Sequence, residues 1–433
     1  MNKRQVIILW VIAIALGAAV TAVKLSQNQS THSATKRSPG QMLFESFPAT
    51  EANSIEIQGA NSTVTLVRKD GKWVVSQRDS YAANSTFVND FIRTLGDLKV
   101  TQSLEAGPSF APRFGMDDAA TKPESHGLTA TFKDASGKEI AKVTLGKTIE
   151  GSASPSPMGG SGSVGRYVRN HADTSGFYAV SEMFPSVSAE AKRWLNDAFI
   201  SPEKIKSITG SLIGKPDSTW KLSRETEEAE FKLDGAAAAE VLDTTVASSF
   251  KSLFAYARFD DVVPTAQVAE RTAADGKRSA VIETFEGFTY TVKISPAKPD
   301  TAAASSEEPA AKDNYLLSVE VSAEIPKERK KVEGEKPEDA KTQDAAFADR
   351  QKALTEKLAK EKAFAGITYE VAKTLVEPLL KDRAALIAKP AAPSDKAPNS
   401  GGVQKLPGGM IARPPMTATT PPVSVPPSEQ EQK

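Results

Sequence analysis

Two stretches of the chain alternate apolar and polar residues with a period of two, which is typical of strands that bury one face. In residues 54–77 the apolar positions fall into three pairs separated by turn residues: Ile55 and Ile57, Val64 and Leu66, Trp73 and Val75. In residues 204–224 the alternating positions are Ile205, Ile208, Leu212, Trp220 and Leu222. Each stretch therefore predicts an antiparallel meander.

The same phrase, Asp-x-x-Trp-x-apolar-Ser, occurs once in each meander, at Asp70–Ser76 and at Asp217–Ser223. The chain has only four tryptophans, and two of them stand at the same position of this phrase. We interpret Trp73 and Trp220 as equivalent core residues of a repeated domain. The alternative, that they are exposed platforms for stacking a ligand, needs more than their spacing to support it.

A helical period follows each meander. Apolar residues recur one turn apart in two matched sets, after an Asn84/Ser85 cap in the first case and after Asp234 in the second. The first set is Phe87, Phe91, Leu95 and Leu98, and the second is Leu242, Val246, Phe250 and Leu253. The two sets have the same internal spacing, which favours a duplicated helix.

Alternation then resumes in residues 128–146 and 279–295, and each of these hairpins leads through a low-complexity loop to a further strand, at 166–170 or 314–322. Finally, residues 177–195 align without gaps to residues 368–386, so that Tyr178 matches Tyr369 and Leu195 matches Leu386. We expect each of these closing segments to end in a helix.

These patterns predict an α+β protein with two tandem repeats. The first repeat spans residues 42–199 and the second spans 200–386, with a charged insert at 323–362 that is either a partner-binding helix or a solvated arm. Residues 387–433 contain ten prolines and no aromatic residue, so we expect this tail to be disordered.

The N-terminus predicts a membrane anchor. Val6–Val23 carries no charge, and as a helix it would span ~27 Å of a ~30 Å hydrocarbon core. Lys3 and Arg4 precede it, which favours a cytoplasmic N-terminus and an exported body. We expect residues 1–24 to anchor the protein in a bacterial inner membrane and 25–41 to be a linker. A cleaved signal peptide is the alternative, because alanines at 18, 19 and 22 provide a loose cleavage site.

Several of these segments resemble a known bacterial family, domain of unknown function 4340 (DUF4340). The resemblance lies in residues 53–102, in Arg-Phe-Gly-Met at 113–116, and in Gly165–Asn170 followed by Phe177–Val180, and it extends roughly over 43–386. Members typically follow one N-terminal membrane helix, and some are similar to the auxiliary subunit of gliding-motility-type ABC transporters. The resemblance implies an accessory role in the cell envelope and supplies no catalytic residues.

The charge of the chain disfavours one class of partner, and its composition excludes several kinds of chemistry. Basic and acidic residues balance at 54 each, but residues 1–37 hold five of the basic ones and no acid, so the remaining body is acidic. A net negative body disfavours nucleic acid as a partner. The chain contains no Cys, which excludes disulfides, thiolate nucleophiles, Cys-bound zinc and a lipid-modified N-terminal Cys.

The residue types that carry chemistry are scattered. Gly160–Gly165 matches G-x-G-x-x-G, but the dinucleotide motif needs a following helix and a strand is predicted there. The remaining candidates are single or paired residues in linker, turn and loop stretches: His32, His126, His171, Asp117–Asp118 and Asp260–Asp261. We therefore predict no catalytic residue, no cofactor or metal site and no enzymatic activity.

The sequence thus favours a membrane-anchored extracytoplasmic accessory or scaffold protein that binds protein partners in the envelope, such as subunits of an ABC-type transporter. A second hypothesis is a binding protein for an envelope polymer or solute, with its ligand in the groove between the repeats. A third and weaker one is a hydrolase.

Overall fold

Apolar residues at every second position build two antiparallel sheets, one from each half of the chain. The computed structural model describes residues 37–151, 163–173, 176–238, 240–298, 313–329 and 336–388. Within these ranges no helix combines the length and the apolar character needed to cross a bilayer. The predicted anchor at Val6–Val23, His32 and the Pro-rich tail from 389 onward lie outside the described residues.

The first sheet has the strand order β4-β3-β2-β1-β6-β7-β8-β9-β5. Its strands are β1 (Ser54–Gln58), β2 (Thr63–Lys69), β3 (Lys72–Val75), β4 (Tyr81–Ala82), β5 (Gln102–Leu104), β6 (Leu128–Lys133), β7 (Glu139–Glu150), β8 (Ser163–Asn170) and β9 (Phe177–Val180). The predicted alternation is confirmed: Ile55, Ile57, Val64 and Leu66 are fully buried, and Trp73 is nearly so.

The second sheet has the order β12-β11-β10-β14-β15-β16-β17-β13. Its strands are β10 (Ile205–Leu212), β11 (Lys215–Ser223), β12 (Lys232–Leu233), β13 (Asp261–Val263), β14 (Arg278–Thr284), β15 (Phe288–Pro296), β16 (Asn314–Ala323) and β17 (Thr368–Ala372). The inner faces of both sheets contribute to one continuous hydrophobic core. The α+β class is therefore confirmed.

The helices lie between the strands. They are α1 (Ser85–Gly96), α2 (Pro123–His126), α3 (Thr244–Lys251), α4 (Thr265–Arg271), α5 (Pro337–Lys362) and α6 (Lys373–Val376). Asn84 caps α1, as predicted, by accepting a hydrogen bond from the backbone N–H of Phe87 at 3.2 Å. The predicted start of α3 after Asp234 is wrong. Asp243 is the cap, accepting from Thr245 at 2.8 Å and Val246 at 3.2 Å.

The closing helices are the second correction. After β9 the chain makes only one short 3₁₀ turn, Ala191–Trp194, and after β17 it makes α6 and two 3₁₀ turns, Glu377–Leu380 and Arg383–Leu386. Pro185 and Pro378 explain the interruption, because proline lacks the N–H that a continuous helix requires and its ring clashes with the preceding turn.

The registers of the two sheets correspond strand by strand. Ile55 pairs with Leu66 and Phe132 in the first sheet, and Ile208 pairs with Leu222 and Ile282 in the second. The next pair along is Ile57–Val64 in the first sheet and Gly210–Trp220 in the second. Trp220 therefore occupies the place of Val64.

The predicted equivalence of the two tryptophans is consequently wrong. Trp220 lies on the second strand of its meander, whereas Trp73 lies on the third, opposite Arg68. Both are core residues, as predicted, with exposed fractions of 4% for Trp73 and 1% for Trp220. The shared phrase marks the same strand pattern at two different positions in the sheets.

The closing segments match with a shift of one residue. Tyr178 and Tyr369 hold corresponding places, because each lies on the strand next to the sheet edge: β9 lies between β8 and the edge strand β5, and β17 lies between β16 and the edge strand β13. The backbone N–H of Asn84 donates to Trp194 O at 2.7 Å, and that of Asp243 donates to Leu386 O at 2.9 Å. Leu386 thus corresponds to Trp194 rather than to Leu195.

Each sheet carries one addition that the other lacks. In the first half, residues 105–127 fold over the outer face and form a small second core with Phe177 and Tyr167. Gly146 permits this close approach, because a Cβ there would lie 2.2 Å from Phe114 O. In the second half, α5 is inserted between β16 and β17 and its final turns pack on the main core through Leu354 and Leu358.

Candidate interaction site

The turn between β3 and β4 contacts β13 and the start of α4, and these contacts bring the two sheets together. The guanidinium of Arg78 forms a two-pronged ion pair with Asp261, with Nε–Oδ1 and Nη2–Oδ2 distances of 2.7 Å. Asp79 Oδ2 accepts hydrogen bonds from the N–H and hydroxyl of Thr265, at 2.7 and 2.8 Å, and these bonds lower the pKa of Asp79. Asp261, predicted as a solvated loop residue, is therefore a strand residue that joins the halves.

Five aromatic rings fill the junction beside this ion pair: Tyr81, Phe199, Phe259, Phe364 and Tyr369. The centroid of Tyr369 lies 4.8 Å from that of Phe199 and 5.0 Å from that of Phe259, and Tyr81 lies 5.8 Å from Phe259. Burial raises the pKa of both tyrosine hydroxyls. Side chains occupy this part of the space between the sheets. We call the ion pair and the five rings the seam.

A loop at the side of the seam, residues 252–258, presents one aromatic ring to solvent. Tyr256 is 99% exposed, whereas Phe254 in the same loop is 2% exposed and anchors it in the core. Both residues have left-handed backbone conformations, with φ of 56° for Tyr256 and 60° for Phe254. That conformation is rare for bulky residues and costs roughly 1–2 kcal/mol each.

Backbone hydrogen bonds hold this exposed loop in shape. The N–H of Ala255 donates to Ser252 O at 2.9 Å, and the N–H of Ala257 donates to Phe254 O at 3.2 Å. Next to the ring, Arg258 is 78% exposed and lies 3.4 Å from Asp197, in the segment that connects the two sheets. Tyrosine and arginine together are the residue types that most often dominate protein–protein binding energy.

The first half has no counterpart to this loop. There α1 ends at Gly96, and Asp97 follows with a φ of −97°. Sequence reasoning missed the exposed loop because Leu253, Phe254 and Tyr256 form an apolar run that indicates a core segment. What separates Tyr256 from Phe254 is exposure, 99% against 2%, which neither the sequence pattern nor their shared left-handed backbone shows.

The histidines belong to local structure. Thr129, Thr144 and His171 form a chain on the outer face of the first sheet, with oxygen–oxygen and oxygen–Nε2 distances of 2.9 and 2.8 Å. Burial lowers the pKa of His171 to about 4, and Arg169 and Lys142 add to the effect. His171 is therefore neutral at pH 7. His126 is buried, with Nδ1 3.0 Å from Gly127 O.

The outer face of the second sheet has a shallow hollow at the corresponding place. Its volume is about 240 Å³, and Lys293 and Glu320 lie 3.9 Å apart at its side. Small side chains, including Ser318 and Thr368, stand where the first sheet has Arg169 and Phe177. The hollow is smaller than the roughly 300–1,000 Å³ of ordinary ligand pockets.

Other candidate sites have structural explanations. A strand, β8, begins at Ser163 within the Gly160–Gly165 motif, so the helix that a dinucleotide site needs does not follow. Asp117 accepts a hydrogen bond from the N–H of Ala119 at 3.0 Å in a turn. Among the described residues, no three His, Asp or Glu side chains are grouped so that they could hold a metal ion.

A family comparison agrees with the resemblance seen in the sequence. The family described as Domain of unknown function (DUF4340) matches residues 73–276. Residues 73–276 belong to the DUF4340 family. The DUF4340 match begins at Trp73 in β3 and ends between α4 and β14, so it contains Arg78, Asp261 and the whole exposed loop. No curated protein and no solved structure matches the chain.

Proposed function

We propose that this chain is a membrane-anchored, extracytoplasmic accessory or scaffold protein of the bacterial cell envelope that binds a protein partner through its exposed loop. Tyr256 is the observation that carries the proposal. A tyrosine ring can bury ~150–250 Å² in a complex. In the free protein this ring contributes no packing, yet its backbone is held in a costly conformation.

A partner that receives Tyr256 in an apolar pocket and contacts Arg258 with acidic groups would repay that cost on binding. The loop is fixed on both sides by Phe254 and by its own hydrogen bonds, so little conformational entropy is lost when the partner binds. These features fit a protein–protein contact. An ABC-type transport system is the partner suggested by the family resemblance.

The seam favours the scaffold over the solute-binding alternative. A ligand between the sheets would need a groove, and the five rings of the seam occupy the described part of that space. The matching strand orders and registers further support an origin of the two halves as tandem copies of one α+β unit. Joined edge to edge, the copies would make a rigid support for a partner.

The topology is tested with reporter fusions at the C-terminus. The uncharged segment Val6–Val23, preceded by Lys3 and Arg4, predicts that the C-terminus lies outside the cytoplasm. A fused reporter enzyme that works only outside the cytoplasm should therefore be active. Activity of a cytoplasmic reporter at that position would refute the exported assignment. Release of the mature protein from membranes after cleavage near residue 23 would favour the signal-peptide alternative.

The partner site is tested with Tyr256→Asn, because asparagine is among the non-glycine residues that best tolerate a left-handed backbone. We expect the variant to fold as well as the wild type and to recover at least tenfold less of the co-expressed ATPase and permease subunits of an ABC-type transporter, measured by quantitative co-purification. Val164→Asn is the matched control, since Val164 is 60% exposed on the first sheet. Equal recovery with both variants would refute this site.

A further inference from the structure

The carboxyl group of Glu361, in the last turn of α5, is buried where a charge is poorly compensated. The residue is 5% exposed, and its Oε2 atom makes no hydrogen bond. The nearest cation is Lys357, whose Nζ lies 3.9 Å from Oε1. Burying an ionised carboxylate costs several kcal/mol unless hydrogen bonds and a close counter-charge offset the loss of water.

Lys357 is an incomplete counter-charge because it has other partners. Its Nζ donates to Ser201 O at 2.9 Å and lies 3.4 Å from the Glu203 carboxylate, both in the segment before β10. The same ammonium stands 5.6 Å from the centre of the Phe288 ring on β15. One cation is thus shared by two carboxylates and a backbone carbonyl.

The second sheet supplies the remaining groups around Glu361. The buried hydroxyl of Tyr290, on β15, lies beside the carboxyl group without a hydrogen bond of ordinary geometry, and its nearness lowers the pKa of Glu361. Glu286, in the turn between β14 and β15, lies near the Tyr290 hydroxyl, and Lys204 and Arg350 each lie 3.3 Å from it. Burial and the carboxylate of Glu203 favour the neutral form of Glu361.

We infer that Glu361 is a proton-controlled latch, which holds the C-terminal turns of α5 on the second sheet while it is protonated and loosens them when it ionises. The inference is independent of the proposed function. Burial raises the pKa of Glu361 above the ordinary 4.5, and Tyr290, Lys357 and the backbone N–H of Ser201 counteract this only in part.

The direction of the pH effect follows from the raised pKa. The docked helix binds the proton more tightly than a detached helix does, so acid favours docking. The contribution is complete below pH 4.5, the ordinary value, and is lost as the pH rises through the pKa of the docked state. Between these two values the docking equilibrium changes by up to about tenfold per pH unit.

Helix α5 is suited to local detachment. Along its N-terminal half almost every side chain is exposed, and its contacts with the core come from Leu354, Leu358 and Glu361 in the last turns. The helix is an insertion between two strands that pair directly with each other. It can therefore open without breaking the sheet, as low-stability segments of proteins do.

Amide hydrogen exchange of the full-length chain tests the latch. Protection of residues 351–362, corrected for the intrinsic pH dependence of exchange, should fall between pH 4.5 and 8 in the wild type. In Glu361→Gln the side chain is always neutral, so protection should remain high across this range. Glu356→Gln, an exposed carboxylate on the same helix, is the matched control and should follow the wild type.

A second variant changes the pKa of the latch and not its chemistry. Tyr290→Phe removes the hydroxyl that lowers the pKa of Glu361, so the loss of protection should move to higher pH. Wild-type protection that does not vary with pH, or a Glu361→Gln variant that loses protection with the same pH dependence, would overturn the inference. A shift to lower pH in Tyr290→Phe would also contradict it.

Discussion

The two sheets share one strand order but fill their cores differently. At the same point of the first two strands, the first sheet pairs Ile57 with Val64 and the second pairs Gly210 with Trp220. The glycine is required, because a Cβ at position 210 would lie 2.3 Å from Cζ2 of Trp220. The two sheets thus have the same register at this pair but divide the side-chain volume differently: two medium-sized side chains in the first sheet, and a glycine with a tryptophan in the second.

The additions to the sheets differ in the same way. The first half uses residues 105–127 to cover its outer face with a second core, whereas the second half leaves that face open and adds α5 and the exposed loop. A shared framework therefore presents two different surfaces. We expect the halves to differ in what they bind and to resemble each other in what stabilises them.

The largest expected effect is the loss of stability when the Gly210–Trp220 pair of the second sheet is changed. Trp220→Val should lower the free energy of unfolding by ~3–5 kcal/mol, because it leaves a cavity and removes the donor that bonds Lys381 O at 3.0 Å. Gly210→Ile should destabilise by ~1–3 kcal/mol or more through the clash with Trp220. Both changes are measured by denaturant unfolding of each variant against the wild type.

The double variant Gly210→Ile/Trp220→Val rebuilds the pair found in the first sheet. We expect it to be more stable than the sum of the single effects predicts, with a favourable coupling of roughly 2–3 kcal/mol. Trp73→Ala should cost ~3–5 kcal/mol as well, but it should not couple to either change, because Trp73 lies on another sheet. Additive single effects at 210 and 220 would contradict the matched registers.

Loss of the seam ion pair should have the next largest effect. Arg78→Met leaves Asp261 without its partner in a site where both side chains are about four-fifths buried, and should cost roughly 1–3 kcal/mol. Replacing both residues with apolar ones should cost less than either single change. Arg93→Met is the control, since its exposed pair with Asp90 contributes at most ~0.5 kcal/mol.

The helix caps give a smaller comparison between the halves. Asp243→Ala and Asn84→Ala should each lower stability by ~1 kcal/mol, with the larger loss at Asp243, because its carboxylate caps two N–H groups and Asn84 caps one. Thermal unfolding of the two variants measures the difference. A larger loss at Asn84 would contradict this assignment of the caps.

The smallest expected effect is at the exposed loop. Tyr256→Asn should change the free energy of unfolding by less than ~0.5 kcal/mol, since the ring contacts nothing and asparagine relieves part of the backbone strain. Denaturant unfolding measures it. A loss above ~1 kcal/mol would mean that the ring packs on the body, and would remove the main support for a partner site.

Sequence patterns predicted the long elements well and the contacts between them poorly. The meanders and the later hairpins were predictable because their apolar period reports directly which side chains are buried. The period also located α1, but it placed Phe87 on the buried face, where the structure has Val88; Phe87 is 42% exposed. Strands of two or three residues, such as β4 and β12, are too short to show a period. The Trp phrase misled because a turn followed by a strand looks the same on the second and third strands of a meander.

The candidate site could not be predicted at all. Arg78 and Asp261 are far apart in the chain, and neither stands in a pattern that indicates its partner. Tyr256 and its buried neighbour Phe254 are both aromatic and both left-handed, and only the complete fold shows which of the two rings is exposed. Long-range pairing and left-handed backbone positions depend on the complete fold, so local propensity carries no signal for them.

Site-specific photocrosslinking in intact cells tests the central claim most directly. A photoreactive phenylalanine analogue replaces Tyr256, and in a parallel sample it replaces Phe87, which is 42% exposed on α1 of the other half. We predict a crosslink to one defined envelope protein from position 256, outcompeted by overproduction of the unmodified chain, and no such product from position 87. Equal products from both positions, or none from position 256, would contradict a scaffold that binds its partner through the exposed loop.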